Sequence, residues 1–424
     1  MSLAASGIPA GPLAPASSAD PDGLVGLVGS SEPSVRLHRL TMVAEDDGVM
    51  VGRPDIGSYA LFPEEGAEAL RMLDSGVPVS GIASWYEQTC GERLDVGDFL
   101  AALEDLQFLR AEGEDRSDAG PVRWQRLGRW VFSVPACAGY IALIVAACVA
   151  MVGIPSLRPS YGNLFFTRYL SLIPLTLTVT QIPCILIHEG FHALSGRRLG
   201  LPSKLRLGRR LYFLVAETRL DSLLSVPRRR RFLPFLAGML ADLVLISVLT
   251  LAAVALRGHG VPPWCPALCL AVAFSCVLRL VWQFMFYLET DLYYVVATAL
   301  RCADLQNATR FYIRAQYRRL LHRAPPRTDA DWSDRDRAMA RWYAPLLVAG
   351  YGFSLGSLIW AGIPTSVRFV SLIVDRFRET QGPAAGLLDA VSFIALTSLQ
   401  IGLTVYVAVR DRRARKSSTK GALT

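Results

Sequence analysis

Long apolar stretches recur from residue 130 onwards, and they constrain the fold of this chain more than any other feature. A helix of about 20 apolar residues crosses the ~30 Å hydrocarbon core of a bilayer. The sequence predicts six such spans, which lie at Trp130–Ile154, Tyr169–Ser195, Phe232–Leu256, Trp264–Phe286, Tyr343–Ile363 and Ala385–Val409. With 52% hydrophobic and 19% charged residues, the composition excludes a disordered chain and an ordinary soluble enzyme. We therefore expect a mainly α-helical fold, a polytopic membrane helix bundle over residues 130–410.

The basic residues indicate how these spans are oriented. If the N terminus is cytoplasmic, the inner side collects 30 Lys and Arg residues, most of them in 197–231, in 301–341 and in the tail from Arg410. The outer loops collect six, which are Arg158, Arg168, Arg257, Arg368, Arg376 and Arg378. Cytoplasmic loops carry the excess of Lys and Arg. The sequence thus predicts a multi-pass protein in the lipid bilayer of a bacterial cytoplasmic (inner) membrane. Both termini, including the basic tail 411–424, are expected in the cytoplasm.

The first 120 residues differ from the rest of the chain in charge. They hold 21 acidic and 7 basic residues, a net charge of −14, whereas residues 121–424 carry +22. Residues 1–33 are rich in Ala, Gly, Pro and Ser and contain no Lys or Arg, which is typical of a disordered tail and not of a secretory signal. We expect a folded domain at 34–115 and a linker at 116–129 before the membrane domain.

Residues 34–115 predict a small α/β domain with the element order of a winged helix. The expected strands are Val35–Thr41, Val49–Arg53 and Tyr59–Phe62, with an Asp46-Asp47-Gly48 turn between the first two. The expected helices are Pro63–Asp74, Ser80–Thr89 and a third that begins after Asp95 and reaches Leu109. A DNA-binding winged helix is basic, because phosphate contacts supply most of its affinity. The charge of −14 therefore argues against nucleic acid as a partner.

The segments "DG", "YALFPEEGAEALRMLDSG" and "DVGDFLAALEDLQFL" of this domain resemble the PqqD-like leader-recognition domain of ribosomal-peptide maturation systems. The resemblance implies that the leader of a precursor peptide adds as a strand near Ser58–Phe62 and packs against the helix near Asp98–Leu109. Main-chain hydrogen bonds then give affinity and side-chain pockets give specificity. The alternative is a regulatory or packing domain that binds no peptide.

The run His188-Glu189-Gly190-Phe191-His192 is an HExxH motif at the end of the second span. Residues i and i+4 share one helix face, so both imidazoles can bind one zinc ion, and Glu189 can act as general base toward the attacking water. The chain contains only five histidines, and ionisable groups in a membrane span are costly and usually functional. The alternative is a pair of histidines that anchors the helix at the headgroup level. Pro183, just upstream, predicts a kink.

A hydrolytic zinc site normally has three protein ligands and leaves one position for water. None of the eight cysteines forms a CxxC pair and the other three histidines lie outside the spans, so we expect a carboxylate as the third ligand. The candidates are Asp242, Glu289 and Asp291. Topology places Glu289 and Asp291 at the depth of the motif, and Asp242 ~15 Å deeper in the membrane. The residues alone leave Glu289 and Asp291 open.

The runs "HEGFHALSGRRLG" and "FYLETDLYYVVATALRCADL" resemble the site-2-protease-like intramembrane zinc metallopeptidases, in the branch that matures peptides. Relatives with an appended peptide-recognition domain often carry a "TDGYY" or "TDLYY" stretch whose Asp completes the zinc site. The resemblance implies that Asp291 is the third ligand beside the two histidines of the motif, with Tyr293 and Tyr294 lining the helix behind it. Glu289 remains the fallback ligand.

Two further features are expected to have partners. Arg279 lies in the middle of the fourth span, where a lone guanidinium is costly, so we expect an ion pair with Asp242 that is either structural or functional. The segment Lys204–Leu220 has strand character at Tyr212–Val215 and can offer an edge to an extended substrate, with ordinary loop structure as the alternative.

Together these patterns predict an enzyme, a zinc metalloendopeptidase that cleaves a ribosomally synthesised precursor peptide and removes its leader. One alternative is a site-2-type protease that acts on a membrane-bound regulatory protein. Another is a non-catalytic membrane scaffold that holds a peptide for export or immunity.

Overall fold

The computed structural model describes residues 35–111 and 122–357, apart from 46–47, 168, 170, 211–212, 220, 258–259, 303, 325–331 and 333. It also describes residue 114 and scattered residues between 359 and 410. The predicted tails 1–33 and 411–424 lie outside these residues. Within them the protein is mainly helical, with a small sheet region in its N-terminal domain.

Five short strands and three helices form residues 35–111. They are β1 (Arg36–Leu37), β2 (Thr41–Glu45), β3 (Gly48–Arg53), β4 (Ser58–Phe62), α1 (Glu64–Asp74), α2 (Val79–Cys90), α3 (Val96–Asp105) and β5 (Leu109–Arg110). Strands β2, β3 and β4 form an antiparallel sheet in that order, and β1 pairs antiparallel with β5. The three predicted helices are present, but the third ends at Asp105 and does not reach Leu109, which belongs to β5.

The hairpin between β2 and β3 corrects the prediction for the first strand. Glu45 pairs with Gly48 and Thr41 with Gly52, so two residues connect the strands. A two-residue connection requires the preceding strand to continue up to residue 45. The segment opposite β3 is therefore Thr41–Glu45 and not Val35–Thr41, which instead contributes β1 to the pairing with β5.

Local signals determine the helix ends of this domain. The Asp95 carboxylate caps α3 by accepting a hydrogen bond from the Asp98 N–H at 3.0 Å, and Gly91 ends α2 in the left-handed conformation with φ 74°. The inward faces of the sheet and helices share one core, which includes Val51, Leu70, Ile82, Leu103 and Phe108. The domain thus buries its own apolar faces before it meets the membrane domain.

From residue 122 to 357 the described chain is helical apart from one hairpin and short 3-10 turns. The elements are α4 (Gln125–Val131), α5 (Val134–Gly153), α6 (Leu172–Arg198), β6 (Lys204–Arg210), β7 (Phe213–Arg219), α7 (Arg228–Leu256), α8 (Trp264–Trp282), α9 (Asp291–Leu300), α10 (Leu305–Leu320) and α11 (Asp334–Ser357). Strands β6 and β7 pair antiparallel. Helices α5, α6, α8 and α9 all pack against α7, which is therefore the central helix of the bundle.

Among the residues that the structure describes, four helices are long and apolar enough to cross a membrane, and they coincide with four of the predicted spans. They are α5, α6, α7 and α8. The predicted fifth span, Tyr343–Ile363, begins inside α11, and residues 360–363 lie outside the described residues. Most of the predicted sixth span, Ala385–Val409, lies outside them as well.

Apolar side chains cover the outer faces of these four helices. Ile141, Val179, Val248 and Leu278 are all exposed. In the most apolar 18-residue stretch of each helix, only 6–33% of the residues are buried inside the protein. A continuous apolar surface of this kind is stable against lipid and unfavourable in water. Together with helix length, this agrees with a membrane protein.

Candidate metal centre

His188, His192 and Asp291 lie together in the interior of the protein. The histidines share one face of α6, and Asp291 is the first residue of α9. His192 Nε2 lies 3.3 Å from His188 Nε2 and 3.1 Å from Asp291 Oδ2, and His188 Nε2 lies 3.4 Å from the same oxygen. Each residue is at most 4% exposed. The three predicted ligands thus form a buried group that can hold a metal ion.

The Nδ1 atom of each histidine makes a hydrogen bond with an oxygen of a neighbouring helix. His188 Nδ1 donates to Asp242 Oδ2 at 3.0 Å, and His192 Nδ1 donates to the main-chain carbonyl of Pro234 at 2.7 Å. Carboxylates and carbonyls only accept, so each Nδ1 carries a proton, and in the neutral ring that binds a metal each Nε2 presents a lone pair. The lone pairs of both imidazoles therefore converge with the Asp291 carboxylate, as metal ligands do.

The spacing of these atoms fits a small divalent cation. Around a tetrahedral zinc ion with bonds of about 2.0–2.1 Å, neighbouring ligand atoms are about 3.3–3.4 Å apart. Gly238 of α7 faces the group, and a Cβ built on it would lie 2.2 Å from His192 Nε2 and 2.5 Å from His188 Nε2. The missing side chain at 238 leaves open the space that an ion would fill.

The connection between α8 and α9 positions Asp291. The Asp291 N–H donates to Gln283 Oε1 at 3.0 Å, and Thr290 Oγ1 donates to the Gln283 carbonyl at 2.7 Å. Gln283 is itself 5% exposed. Its side chain and main chain therefore fix the first turn of α9 at the end of α8.

Tyr293 and Tyr294 are buried on α9 behind Asp291, as the resemblance implied. The Tyr294 ring stacks on Phe235 of α7 with centroids 5.7 Å apart. The Tyr293 hydroxyl accepts a hydrogen bond from the Gln306 N–H at 3.1 Å. Burial raises the pKa of Tyr293 well above its ordinary value, so the hydroxyl stays neutral. The two tyrosines anchor α9 to α7 and α10.

Glu189, the predicted general base, is held by the β6–β7 hairpin. It is 6% exposed, and its Oε2 accepts a hydrogen bond from Thr218 Oγ1 of β7 at 2.6 Å. The same hydroxyl lies 3.1 Å from the Glu189 carbonyl oxygen. The strand character predicted at Tyr212–Val215 is confirmed for Phe213–Val215, which lie in β7, whereas Tyr212 lies outside the described residues. The hairpin contacts the HExxH motif through Thr218.

Asp242 and Arg279 form the predicted ion pair, and the pair also contacts the metal group. Arg279 Nε lies 2.9 and 3.1 Å from the two Asp242 oxygens, and Arg279 Nη1 donates to Gln181 Oε1 at 3.0 Å. The prediction that Asp242 lies ~15 Å deeper than the motif is wrong. Helix α6 continues past His188 to Arg198, so the motif lies well inside the helix and at the level of Asp242.

Glu289, the fallback ligand, is not part of the metal group. Its backbone is left-handed with φ 55°, and its carboxylate pairs with Arg310 of α10 at 3.2 Å. Its side chain is 36% exposed, whereas that of Asp291 is 5% exposed. The structure therefore brings Asp291 and not Glu289 to the two histidines.

Sequence reasoning misses three residues of the site, namely Thr218, Pro234 and Gly238. For Gly238 a signal exists: it lies four residues before Asp242, so the two share a face of α7 as the histidines share a face of α6. For Thr218 and Pro234 no local signal exists, because only the packing of distant segments makes them partners of Glu189 and His192.

No protein-family model, no curated protein and no solved structure matches this chain.

Proposed function

We propose that this protein is a zinc metalloendopeptidase of a bacterial inner membrane that removes the leader from a ribosomally synthesised precursor peptide. The observation that carries the proposal is the buried group of His188, His192 and Asp291 with Glu189 adjacent to it. Two imidazoles and one carboxylate are a ligand set of hydrolytic zinc sites, and a neighbouring carboxylate supplies the base that peptide hydrolysis requires.

His188, His192 and Asp291 would hold the zinc ion. Zinc bound there would supply Lewis-acid chemistry, since it lowers the pKa of a water molecule and polarises the scissile carbonyl. Asp242 and the Pro234 carbonyl keep both rings in the tautomer that offers Nε2.

Glu189 moves the proton in the proposed reaction. Its carboxylate takes a proton from the attacking water as the new carbon–oxygen bond forms. It then gives that proton to the leaving amine as the carbon–nitrogen bond breaks. Thr218 donates to Oε2 and so orients the carboxylate, which leaves Oε1 to receive the proton.

The β6–β7 hairpin is the proposed support for the scissile segment. A peptide must be extended before its carbonyl can be attacked, and an added strand is extended by construction. Within the described chain β6 pairs only with β7, so the outer edges of the hairpin can accept main-chain hydrogen bonds from a substrate. Thr218 links this hairpin to Glu189.

The N-terminal domain is the proposed site of leader capture, as a PqqD-like winged-helix unit. Strand β4 ends the three-stranded sheet on one side, so its outer edge can accept the leader as a further strand, with α3 as the second wall of the groove. This domain and the membrane site would then act on one precursor.

The proposed membrane arrangement has six spans with both termini in the cytoplasm. The four apolar helices, together with α11 and the segment Ala385–Val409, supply the spans. The excess of 30 over 6 basic residues on the proposed inner side supports this orientation.

The test is co-expression of the chain with the short precursor encoded beside it, read by mass spectrometry. We expect leader removal by the wild type and by Glu68→Gln, an exposed control on α1, but not by Glu189→Gln. Equal cleavage by Glu189→Gln and the wild type would refute the mechanism. Bound zinc without cleavage of any peptide would favour the scaffold, and cleavage of a membrane-bound regulatory protein alone would favour the site-2-type alternative.

A further inference from the structure

A buried carboxylate, Glu45 at the end of β2, joins the N-terminal domain to the membrane domain. Its side chain is 4% exposed, its Oε1 lies 2.5 Å from Arg231 Nη2, and its Oε2 pairs with Arg228. Both arginines belong to the first turn of α7. Removal of one partner of a buried ion pair leaves an uncompensated charge and is strongly destabilising. Glu45 therefore stabilises the contact between the domains.

Arg231 also binds the segment that precedes α7. Its Nε donates to the Val226 carbonyl at 2.8 Å and its Nη2 donates to the Leu224 carbonyl at 3.0 Å. Strands β2 and β3 pack against residues 221–225. The 221–226 segment is thus enclosed between the N-terminal sheet and the start of α7. The Arg231 guanidinium binds both this segment and Glu45 of the sheet.

This segment lies next to the contacts that orient the metal centre. It directly follows β7, whose Thr218 hydroxyl holds the Glu189 carboxylate. Three residues beyond Arg231, the Pro234 carbonyl accepts the hydrogen bond from His192. Arg231 therefore connects Glu45 with the segment that follows β7 and with the start of the helix that carries Pro234.

We propose that Glu45 is a positioning residue for the metal centre. By neutralising Arg231 it holds the 221–226 segment in place, and so it keeps Thr218 on Glu189. The proposal rests on the proposed function in that Glu189 is taken as the general base. The N-terminal domain is then a structural part of the catalytic unit as well as the module that captures peptide.

The first test is hydrogen exchange of the full-length protein in detergent micelles. In Glu45→Ala we expect amides of residues 213–226 to exchange about 10-fold faster or more than in the wild type, with Glu45→Gln in between. Glu68→Ala removes the same charge from an exposed site of the same domain and should change nothing there. Unchanged exchange across 213–226 in both Glu45 variants would overturn the proposal. The milder Glu45→Gln keeps the test decisive if Glu45→Ala does not fold.

The second test is a double-mutant cycle on peptide cleavage. Glu45→Gln and Thr218→Val should each lower kcat, by about 10-fold, and leave KM unchanged, because only the position of the base changes. The double variant should be no slower than Thr218→Val alone, because both changes act through one hydrogen bond. Losses that add independently would overturn the route through Thr218.

The two tests separate this inference from the proposed function. If the wild type binds zinc but cleaves no peptide, the proposed function fails, whereas the exchange measurement still decides whether Glu45 holds the 221–226 segment. If the wild type cleaves and Glu45→Gln matches the wild type in both exchange and cleavage, the proposed function stands and the positioning role of Glu45 is refuted.

Discussion

Gly238→Ala is the smallest substitution that should block metal binding at this centre. The added methyl would lie 2.2 Å from His192 Nε2 and 2.5 Å from His188 Nε2. Both distances are at least about 1 Å shorter than the ~3.5 Å at which non-bonded heavy atoms make favourable contact. They are close to the bond length of about 2.0–2.1 Å between zinc and a histidine nitrogen. The methyl and the ion therefore compete for the same space.

The histidine rings cannot move aside without cost. The Nδ1 atoms of His188 and His192 are held by hydrogen bonds of 3.0 and 2.7 Å, and both residues are buried. Loss of such outer partners lowers metal affinity by about 10–100-fold. We expect Gly238→Ala to lower zinc affinity at least ~100-fold, because it blocks the ion as well as disturbing the rings. Helix α7 itself should gain up to ~1 kcal/mol from replacing an interior glycine by alanine.

The assay is zinc content and chelator competition on the purified full-length protein, with circular dichroism to follow helix content. Gly190→Ala is the matched control, because it lies inside the HExxH motif but a Cβ there meets nothing within 4 Å. We expect the control to bind zinc as the wild type does. If Gly238→Ala retained zinc at wild-type affinity, the convergence of the two Nε2 atoms on this space would not be a metal site.

Four further substitutions test separate parts of the centre. Asp242→Asn should lower zinc affinity about 10–100-fold. It should also destabilise the protein by about 3 kcal/mol, because Arg279 loses its counter-charge. Unchanged chelator competition and unchanged thermal unfolding would contradict this. Thr218→Val should keep zinc but lower kcat about 10-fold at constant KM, and loss of zinc would show that the hydroxyl supports the ligands instead. Asp291→Asn should lose zinc while Glu289→Gln retains it in the same metal analysis, and the reverse result would make Glu289 the ligand.

Features that act over short stretches of chain predict much of this protein. Apolar length alone identifies the four long helices of the membrane domain, since each must cover a bilayer with its own residues. The Asp95 cap marks the start of α3 in the sequence and in the structure. His188 and His192 meet because positions i and i+4 share a helix face wherever the helix lies.

Contacts between distant segments were beyond local reasoning. Leu37 pairs with Leu109, and nothing in either short strand specifies the other. The contact of Asp242 with the motif depends on where α6 ends. The length of the apolar stretch does not give this end, because the charged last turn of α6 is still helical. The choice between Glu289 and Asp291 depends on a left-handed turn and on Arg310 of α10, neither of which spacing reveals.

The Asp242–Arg279 pair also has a consequence for assembly of the protein in the bilayer. Around the two imidazoles the chain buries three carboxylates, those of Glu189, Asp242 and Asp291, and the half-buried guanidinium of Arg279 pairs with one of them. When both imidazoles are neutral, as metal ligands are, the surplus of two negative charges equals the charge of one divalent cation, so the loaded centre is electrically neutral. Uncompensated charge at membrane depth is costly. Metal supply should therefore govern how much of the newly inserted chain survives cellular quality control.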